Sequence, residues 1–294
     1  MAASPNADER TARTAGDAVR TLLDGLPVTE RRLELAGIAT AVLEGGDGPP
    51  IVLLHGPGES AVNWRWVIPA LAATRRIIAP DLPAHGGSEA PDGPLDTERI
   101  SAWLRDLVAA ACSTPPAVVG HVLGGAIAAR FAAARNTALD RLVLVDTLGL
   151  ARFRPSLGFA LSFIGFQMRP SERTYTRFLQ QCAYDLDALR ADMGAEWDAF
   201  VDHNLTFARS PKAKAAGRLF RAVGLPRIPP AELAGITVPT ALIWGRHDRA
   251  NRLRVAEAAS NRYGWPLHVV DDAADDPARD QPQAFVNVLH QVVD

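Results

Sequence analysis

The sequence predicts a mostly parallel α/β sheet flanked by helices, with one purely helical insertion. Two observations carry that reading. Short apolar runs alternate with segments of helical periodicity along most of the chain, and the runs end in Gly, Asp or His. Between about residues 150 and 233 the alternation stops, and several helices follow with no convincing strand. In an open parallel sheet, ligands sit beyond the carboxyl ends of the strands. The polar residues at the strand ends are therefore the first candidates for a site.

Taken in order, residues 1–12 read as disordered, and a short helix follows to about Leu26. Arg32–Ala36 and Ile38–Leu43 are two short strands joined at Gly37. Ile51–Leu54 is a compact apolar strand ending at His55-Gly56, and Arg76–Ala79 is another, ending at Pro80-Asp81. Ala117–Val119 leads into Gly120-His121-Val122, Arg141–Val145 to Asp146, Thr240–Trp244 to Gly245, and Leu267–Val270 to Asp271. Helical periodicity marks Thr97–Ala111, Gly124–Ala134, Leu253–Tyr263 and Pro282–Val293. The expected organisation is a flexible N-terminus and short helix over 1–26, a core built from 27–149 and 234–294, and a helical cap over 150–233. Eight of the ten phenylalanines fall in that cap, where they pack helices against each other or line an apolar lid.

Composition narrows the partners. The chain has 294 residues, 48% hydrophobic and 22% charged, enough for one large domain with an insertion. Its net charge of −2, with no block of like charge, argues against a basic field for nucleic acid or an anionic membrane. No secretory h-region opens the chain, and no apolar run is long enough to span a bilayer. Cys112 and Cys182 have neither metal nor redox spacing and read as buried free thiols, which implies a cytoplasmic location. No His/Cys/Asp/Glu set has metal-ligand spacing, and no glycine-rich phosphate loop stands out, so neither metal nor cofactor is expected. An apolar small molecule is the expected partner; the sequence does not determine the oligomeric state.

The strand ends carry five motifs. Leu54-His55-Gly56-Pro57-Gly58 resembles an oxyanion loop. Asp81-Leu82-Pro83-Ala84-His85-Gly86-Gly87-Ser88 resembles the loop Asp-x-Pro-Gly-His-Gly-x-Ser, with Ala84 for the usual glycine. Gly120-His121-Val122-Leu123-Gly124-Gly125 matches the nucleophile elbow Gly-x-Ser-x-Gly except at its centre. Trp244-Gly245-Arg246-His247-Asp248 resembles the strand end that carries the acid of a triad. Residues 273–285 resemble the final loop, Ala-Gly-His-x-Pro-x-x-Glu-x-Pro-x-x-Phe. Together they make the chain similar to the α/β-hydrolase superfamily, in its cap-bearing small-molecule branch.

The resemblance assigns roles by position. The nucleophile falls on Val122, which has no oxygen, sulfur or ionisable group, while the acid falls on Asp248. The spacing of Pro277, Asp280 and Pro282 places the catalytic histidine at Asp275. Of the two backbone donors to an oxyanion, one falls on Leu123 and the other, after Gly56, on Pro57, which has no N–H. Three of the four hydrolytic devices are therefore changed, so Ser-His-Asp ester hydrolysis is not expected.

What remains is ionisable. Asp248 and Asp275 occupy the facing acid and histidine positions. As a carboxyl pair they would serve in general acid–base chemistry. Alternatively, Asp275 caps the following helix or pairs with Arg246 or Arg279. His121 supports the elbow or turns into the pocket. Glu59, near Trp64 at the expected pocket mouth, is a minor candidate acid, and His203 in the cap is another. His55 and His85 read as scaffolding, and His247 as solvent-facing. The expected function is nucleophile-free chemistry on an apolar carbonyl compound: elimination, decarboxylation, isomerisation or cyclisation. The alternatives are a non-catalytic ligand binder and a hydrolase in which a carboxylate activates water.

Overall fold

The structure is a computed structural model that describes residues 16–134 and 138–294. The disorder expected over residues 1–12 lies outside the described residues. Residues 16–23 are helical (α1).

Eight strands form one sheet: β1 (Thr29–Leu35), β2 (Ile38–Gly45), β3 (Pro50–Leu54), β4 (Arg76–Pro80), β5 (Ala117–His121), β6 (Arg141–Val145), β7 (Thr240–Gly245) and β8 (Leu267–Val270). Their spatial order is β1-β2-β4-β3-β5-β6-β7-β8. β1 pairs antiparallel with β2, and β2 antiparallel with β4; every other pairing is parallel. The sheet is thus mostly parallel, as the alternation predicts. The interior strands have a simple cause: β3 and β7 are buried at every residue, because helices cover both faces and leave no side for water. β1 is an exposed edge, and its TERRLEL sequence suits that position.

The β1–β2 boundary corrects the sequence reading. Ala36 is not the end of a strand. It shares a two-residue turn with Gly37, both with positive φ (48° and 70°), between the paired Leu35 and Ile38. Two positive φ values in succession match the right-handed twist of a tight hairpin.

Helices α2 (Ile68–Ala72), α3 (Thr97–Ala111) and α4 (Leu123–Ala133) precede β6. The start of α3 is fixed by Asp96, whose side chain accepts from the Arg99 N–H. Between β6 and β7 the described residues form helices only: α5 (Leu157–Met168), α6 (Glu172–Cys182), α7 (Leu186–Met193), α8 (Trp197–Arg209), α9 (Lys212–Leu219) and α10 (Pro230–Ala234). Most of their buried side chains make a separate cluster around Phe159, Phe166, Tyr175, Trp197 and Phe200. Helices α11 (Arg254–Tyr263), α12 (Pro277–Asp280) and α13 (Pro282–Val293) complete the chain.

After β3 the chain passes to β4 on one side, then returns to β5 on the other. The loops after β3 and β5 therefore adjoin at the point where the winding reverses, the usual place for a crevice. α4 packs so closely there that its second and third residues must be glycine. A Cβ on Gly124 would lie 2.2 Å from the Leu54 carbonyl oxygen, and one on Gly125 2.1 Å from Thr147 Oγ1.

Candidate functional site

The site begins at the turn from β5 into α4. Val122 has φ 46° and ψ −96°, a conformation that a β-branched residue rarely adopts. Four backbone hydrogen bonds hold it there. The Val122 N–H donates to Val145 O, the N–H groups of Ala126 and Leu148 donate to Val122 O, and the Gly124 N–H donates to His55 O. The strained elbow is therefore built by its surroundings, although its tip carries only an isopropyl group. Replacing Val122 with glycine should stabilise the protein by roughly 1 kcal/mol, because relief of strain exceeds the extra chain entropy of glycine. Thermal unfolding checks this. A loss of stability would mean that the half-buried valine packs better than its backbone suggests.

The oxyanion side is occupied from within. Gly56 N–H donates to Glu59 Oε2 at 2.6 Å, and the same oxygen lies 3.3 Å from His121 Nδ1. His121 Nε2 lies 2.6 Å from the Asp275 carbonyl oxygen. Both ring nitrogens face acceptors, so both carry protons and the ring is an imidazolium. Burial opposes that charge, but the Glu59 carboxylate and its hydrogen bond outweigh burial and raise the pKa of His121. Burial likewise opposes the charge on Glu59, and the His121 charge outweighs it, so Glu59 stays ionised. A carboxylate thus sits on a loop amide where a hydrolase would receive negative charge. Pro57 contributes no donor, and Leu123, the first residue of α4, keeps an N–H with no partner inside its helix. Trp64 is buried rather than at a pocket mouth, and its ring meets His121 edge-on at 6.4 Å.

The acid side differs from expectation. Asp248 Oδ1 accepts from the N–H groups of Ala250 (2.6 Å) and Asn251 (2.8 Å), and its Oδ2 is buried. Its neighbouring carboxyl is Asp146, at the end of the adjacent strand β6. Asp146 Oδ1 accepts from the Gly245 N–H at 3.1 Å, and its carboxyl hydrogen-bonds with that of Asp248. Burial raises both pKa values, and the Asp248 charge raises that of Asp146 further. The rise is the larger at Asp146, so within the pair the proton favours Asp146. Asp146→Asn, which replaces a neutral acid with a neutral amide, should change stability by less than about 1 kcal/mol at pH 7. A larger loss in denaturant unfolding would show that Asp146 is ionised.

Asp275 feels the charge of Asp248, the carboxyl expected to face it, but it also has a cationic partner. Its side chain turns to Arg279, with Oδ1 at 3.4 Å from the guanidinium, while its backbone carbonyl holds His121. Arg279 is one turn further along and buried. It also contacts Asp276 and Asp280 and donates to the Cys182 carbonyl. The cap of α12 is Asp276, not Asp275. Burial pushes the Asp275 carboxyl up to about 8, with Arg279 opposing the rise and the charge of Asp248 adding to it. Arg246 pairs with Asp271 instead.

The remaining candidates have local partners. His203 Nε2 lies 2.9 Å from the Ser60 hydroxyl, and burial lowers its pKa to about 4. His55 accepts from the Leu82 N–H through Nε2 and donates to Gly56 O through Nδ1, with burial holding it neutral near 3. His85 stacks on Phe207. Ala84 adopts φ 67°, which explains why glycine is usual at that point of the loop. Cys112 and Cys182 are free. Among the described residues no group of three or more His, Cys, Asp or Glu side chains gathers closely enough to hold a metal ion, and no helix is long and apolar enough to cross a membrane. Two surface hollows, of about 340 and 390 Å³, lie beside Cys112 and beside Asp294, away from the elbow.

Sequence reasoning did not foresee the pairing of Glu59 with His121, or the role of Asp146. A signal for Asp146 existed: it ends one strand as Asp248 follows another, and those strands prove to be neighbours.

With this geometry in place, similarity to known proteins is informative. A family model described as the alpha/beta hydrolase fold matches residues 49–275. An uncharacterized protein of Mycobacterium tuberculosis (strain ATCC 25618 / H37Rv) is 28% identical over 293 residues, covering 94% of this chain and 84% of its own length. A 2-hydroxy-6-oxo-6-(2'-aminophenyl)hexa-2,4-dienoic acid hydrolase of Metapseudomonas resinovorans is 28% identical over 233 residues, 75% of either chain. The solved meta-cleavage product hydrolase of Pseudomonas fluorescens IP01 is similar in fold, with a TM-score of 0.73 at 24% identity over 89% of this chain and 96% of that one.

Proposed function

The chain belongs to the α/β-hydrolase fold family, and from that premise we propose that it acts on a small apolar carbonyl compound by proton transfer, without a covalent acyl-enzyme. The observation that carries this reading is Asp275. Burial pushes its carboxyl up to about 8 on the loop whose carbonyl holds His121, which keeps the proton on at neutral pH yet exchangeable. In this reading Asp275 delivers a proton to the carbonyl oxygen. Asp248, the less strongly raised carboxyl of the Asp146–Asp248 pair, is the base. The His121 imidazolium contributes a fixed positive charge. Elimination, decarboxylation, isomerisation and cyclisation all fit this inventory, because none needs a nucleophile at position 122. The oxo acid in the name of the Metapseudomonas relative supports a carbonyl-bearing ligand.

A second reading, a non-catalytic ligand binder, is favoured by one observation. Glu59, His121 and Arg279 are already satisfied by groups of the protein itself. Water activation by a carboxylate has less support. Glu59 Oε2 is engaged by Gly56 and His121, and Asp275 is protonated at neutral pH, so neither is a ready base.

The test is proton exchange. Enolisable cyclic ketones incubated with the protein in deuterated buffer should gain deuterium, detected by mass spectrometry. Asp275→Asn and Asp248→Asn should each abolish the gain. Thermal-shift evidence of ligand binding with no exchange would establish the binder instead. Turnover of p-nitrophenyl esters or epoxides that survives both substitutions would overturn the carboxylate roles.

A further inference from the structure

Helix α5 (Leu157–Met168) is apolar on two faces, and among the described residues only one of them has a partner. Phe159, Phe163 and Phe166, spaced four and three residues apart, stack against Phe178 and Tyr175 of α6. Leu157, Leu161, Ile164 and Met168 repeat the same spacing on another face and are 74, 62, 52 and 78% exposed. Singly exposed leucines are ordinary, but four in register along one helix make a continuous stripe. At about 1.5 Å of rise per residue, the stripe runs roughly 16 Å along the helix.

The surroundings indicate what covers it. Arg154 lies just before α5 and Arg169 just after, so a guanidinium marks each end of the stripe. Arg152 precedes them, and Arg173 and Arg177 stand on α6, the helix packed against α5. All five are exposed, and among the described residues none makes a salt bridge. Residues 152–181 hold these five arginines against a single acid, Glu172. The overall charge of −2, which argues against an anionic partner, averages this patch away.

We infer that the α5 face docks on the surface of an anionic lipid bilayer, with Leu157, Leu161, Ile164 and Met168 entering the boundary of the acyl chains and the flanking arginines meeting lipid phosphates. An apolar stripe framed by cations is the pattern of a helix that lies in the membrane plane rather than crossing it. A second copy of this chain fits less well. A two-fold contact through the stripe would bring ten arginines together with only two copies of Glu172 to neutralise them. The proposal is independent of the chemistry at the elbow.

Vesicle co-sedimentation of the full chain tests it. Vesicles of equal parts phosphatidylglycerol and phosphatidylcholine should bind at least about tenfold more protein than pure phosphatidylcholine, and added salt should reduce the difference. The double variant Leu161→Glu, Ile164→Glu should lose binding to both vesicle types. Arg154→Gln with Arg169→Gln should lose the preference for phosphatidylglycerol while keeping the wild-type melting temperature, which separates docking from misfolding. Failure to bind either vesicle, or binding unchanged by the glutamates, overturns the inference. So does a dimer in light scattering that the glutamates dissociate, since the stripe would then be a self-contact.

Discussion

Replacing Glu59 with glutamine is expected to destabilise the fold by about 2 kcal/mol and to remove a proton from His121 at neutral pH. The reasoning starts from what each group would do alone. A buried imidazolium is costly, and burial is the largest influence on the His121 ring, acting to lower its pKa. The Glu59 charge and hydrogen bond do most to reverse it, with smaller help from Asp276 and the Asp275 carbonyl. The amide of glutamine could still accept from the Gly56 N–H, but it brings no charge, so His121 would become neutral. The loss stays below the 3–5 kcal/mol typical of a broken buried ion pair, because imidazole can shed its proton where a guanidinium cannot. Glu59→Leu should cost more, roughly 3 to 4 kcal/mol, since it also leaves the Gly56 amide buried without an acceptor. Denaturant unfolding gives the stability change, and the His121 ring resonances in an NMR pH titration give the proton. A glutamine variant that is as stable as wild type, with His121 still protonated at pH 7, would mean that the Asp275 carbonyl and the Asp276 carboxylate alone sustain the charge.

The same pair shows where sequence reading reached its limit. The interior strands could be read in the chain because their cause is local: Ile51–Leu54 and Thr240–Trp244 are short apolar runs that stop at a polar residue. The start of β1 was not legible. Thr29, Glu30 and Arg31 are polar, and they are strand because β2 offers Glu44, Leu43 and Val42 as partners. The elbow, too, could be found from its glycines, which close packing against Leu54 and Thr147 requires. Partnership between loops could not be found this way. Glu59 and His121 are 62 positions apart and meet only because β3 and β5 are neighbours. The reach of Asp275 towards Asp248 was inferred from a motif written for histidine. An aspartate side chain is shorter, and Arg279, one helical turn away, competes for it. Motif spacing fixes where a backbone goes; which side chains then pair depends on length and charge.

Asp275→Asn is expected to make the protein more stable at pH 8 and nearly unchanged at pH 4. Burial raises the folded-state pKa of this carboxyl from 3.8 to about 8. Below pH 3.8 both folded and unfolded chains hold the proton, so this group contributes no pH dependence. Between 3.8 and 8 the unfolded chain releases the proton while the folded chain retains it, and stability falls as pH rises. Above 8 both are ionised and the loss is complete. Asparagine has the shape of the neutral acid and no such slope. The difference between variant and wild type should therefore open across that window and then stay flat. The full shift would correspond to about 6 kcal/mol, and relaxation around a side chain that retains some solvent contact should reduce the observed gain to roughly 2 kcal/mol. Arg279 keeps Asp276 and Asp280 as partners, and the backbone bond from His121 to residue 275 is untouched. Urea unfolding at several pH values, read as variant minus wild type, isolates this one group from the others that titrate. A difference that shrinks with rising pH would mean that Asp275 is stabilised as a carboxylate by Arg279. It would then be unable to supply the proton that the proposed chemistry requires.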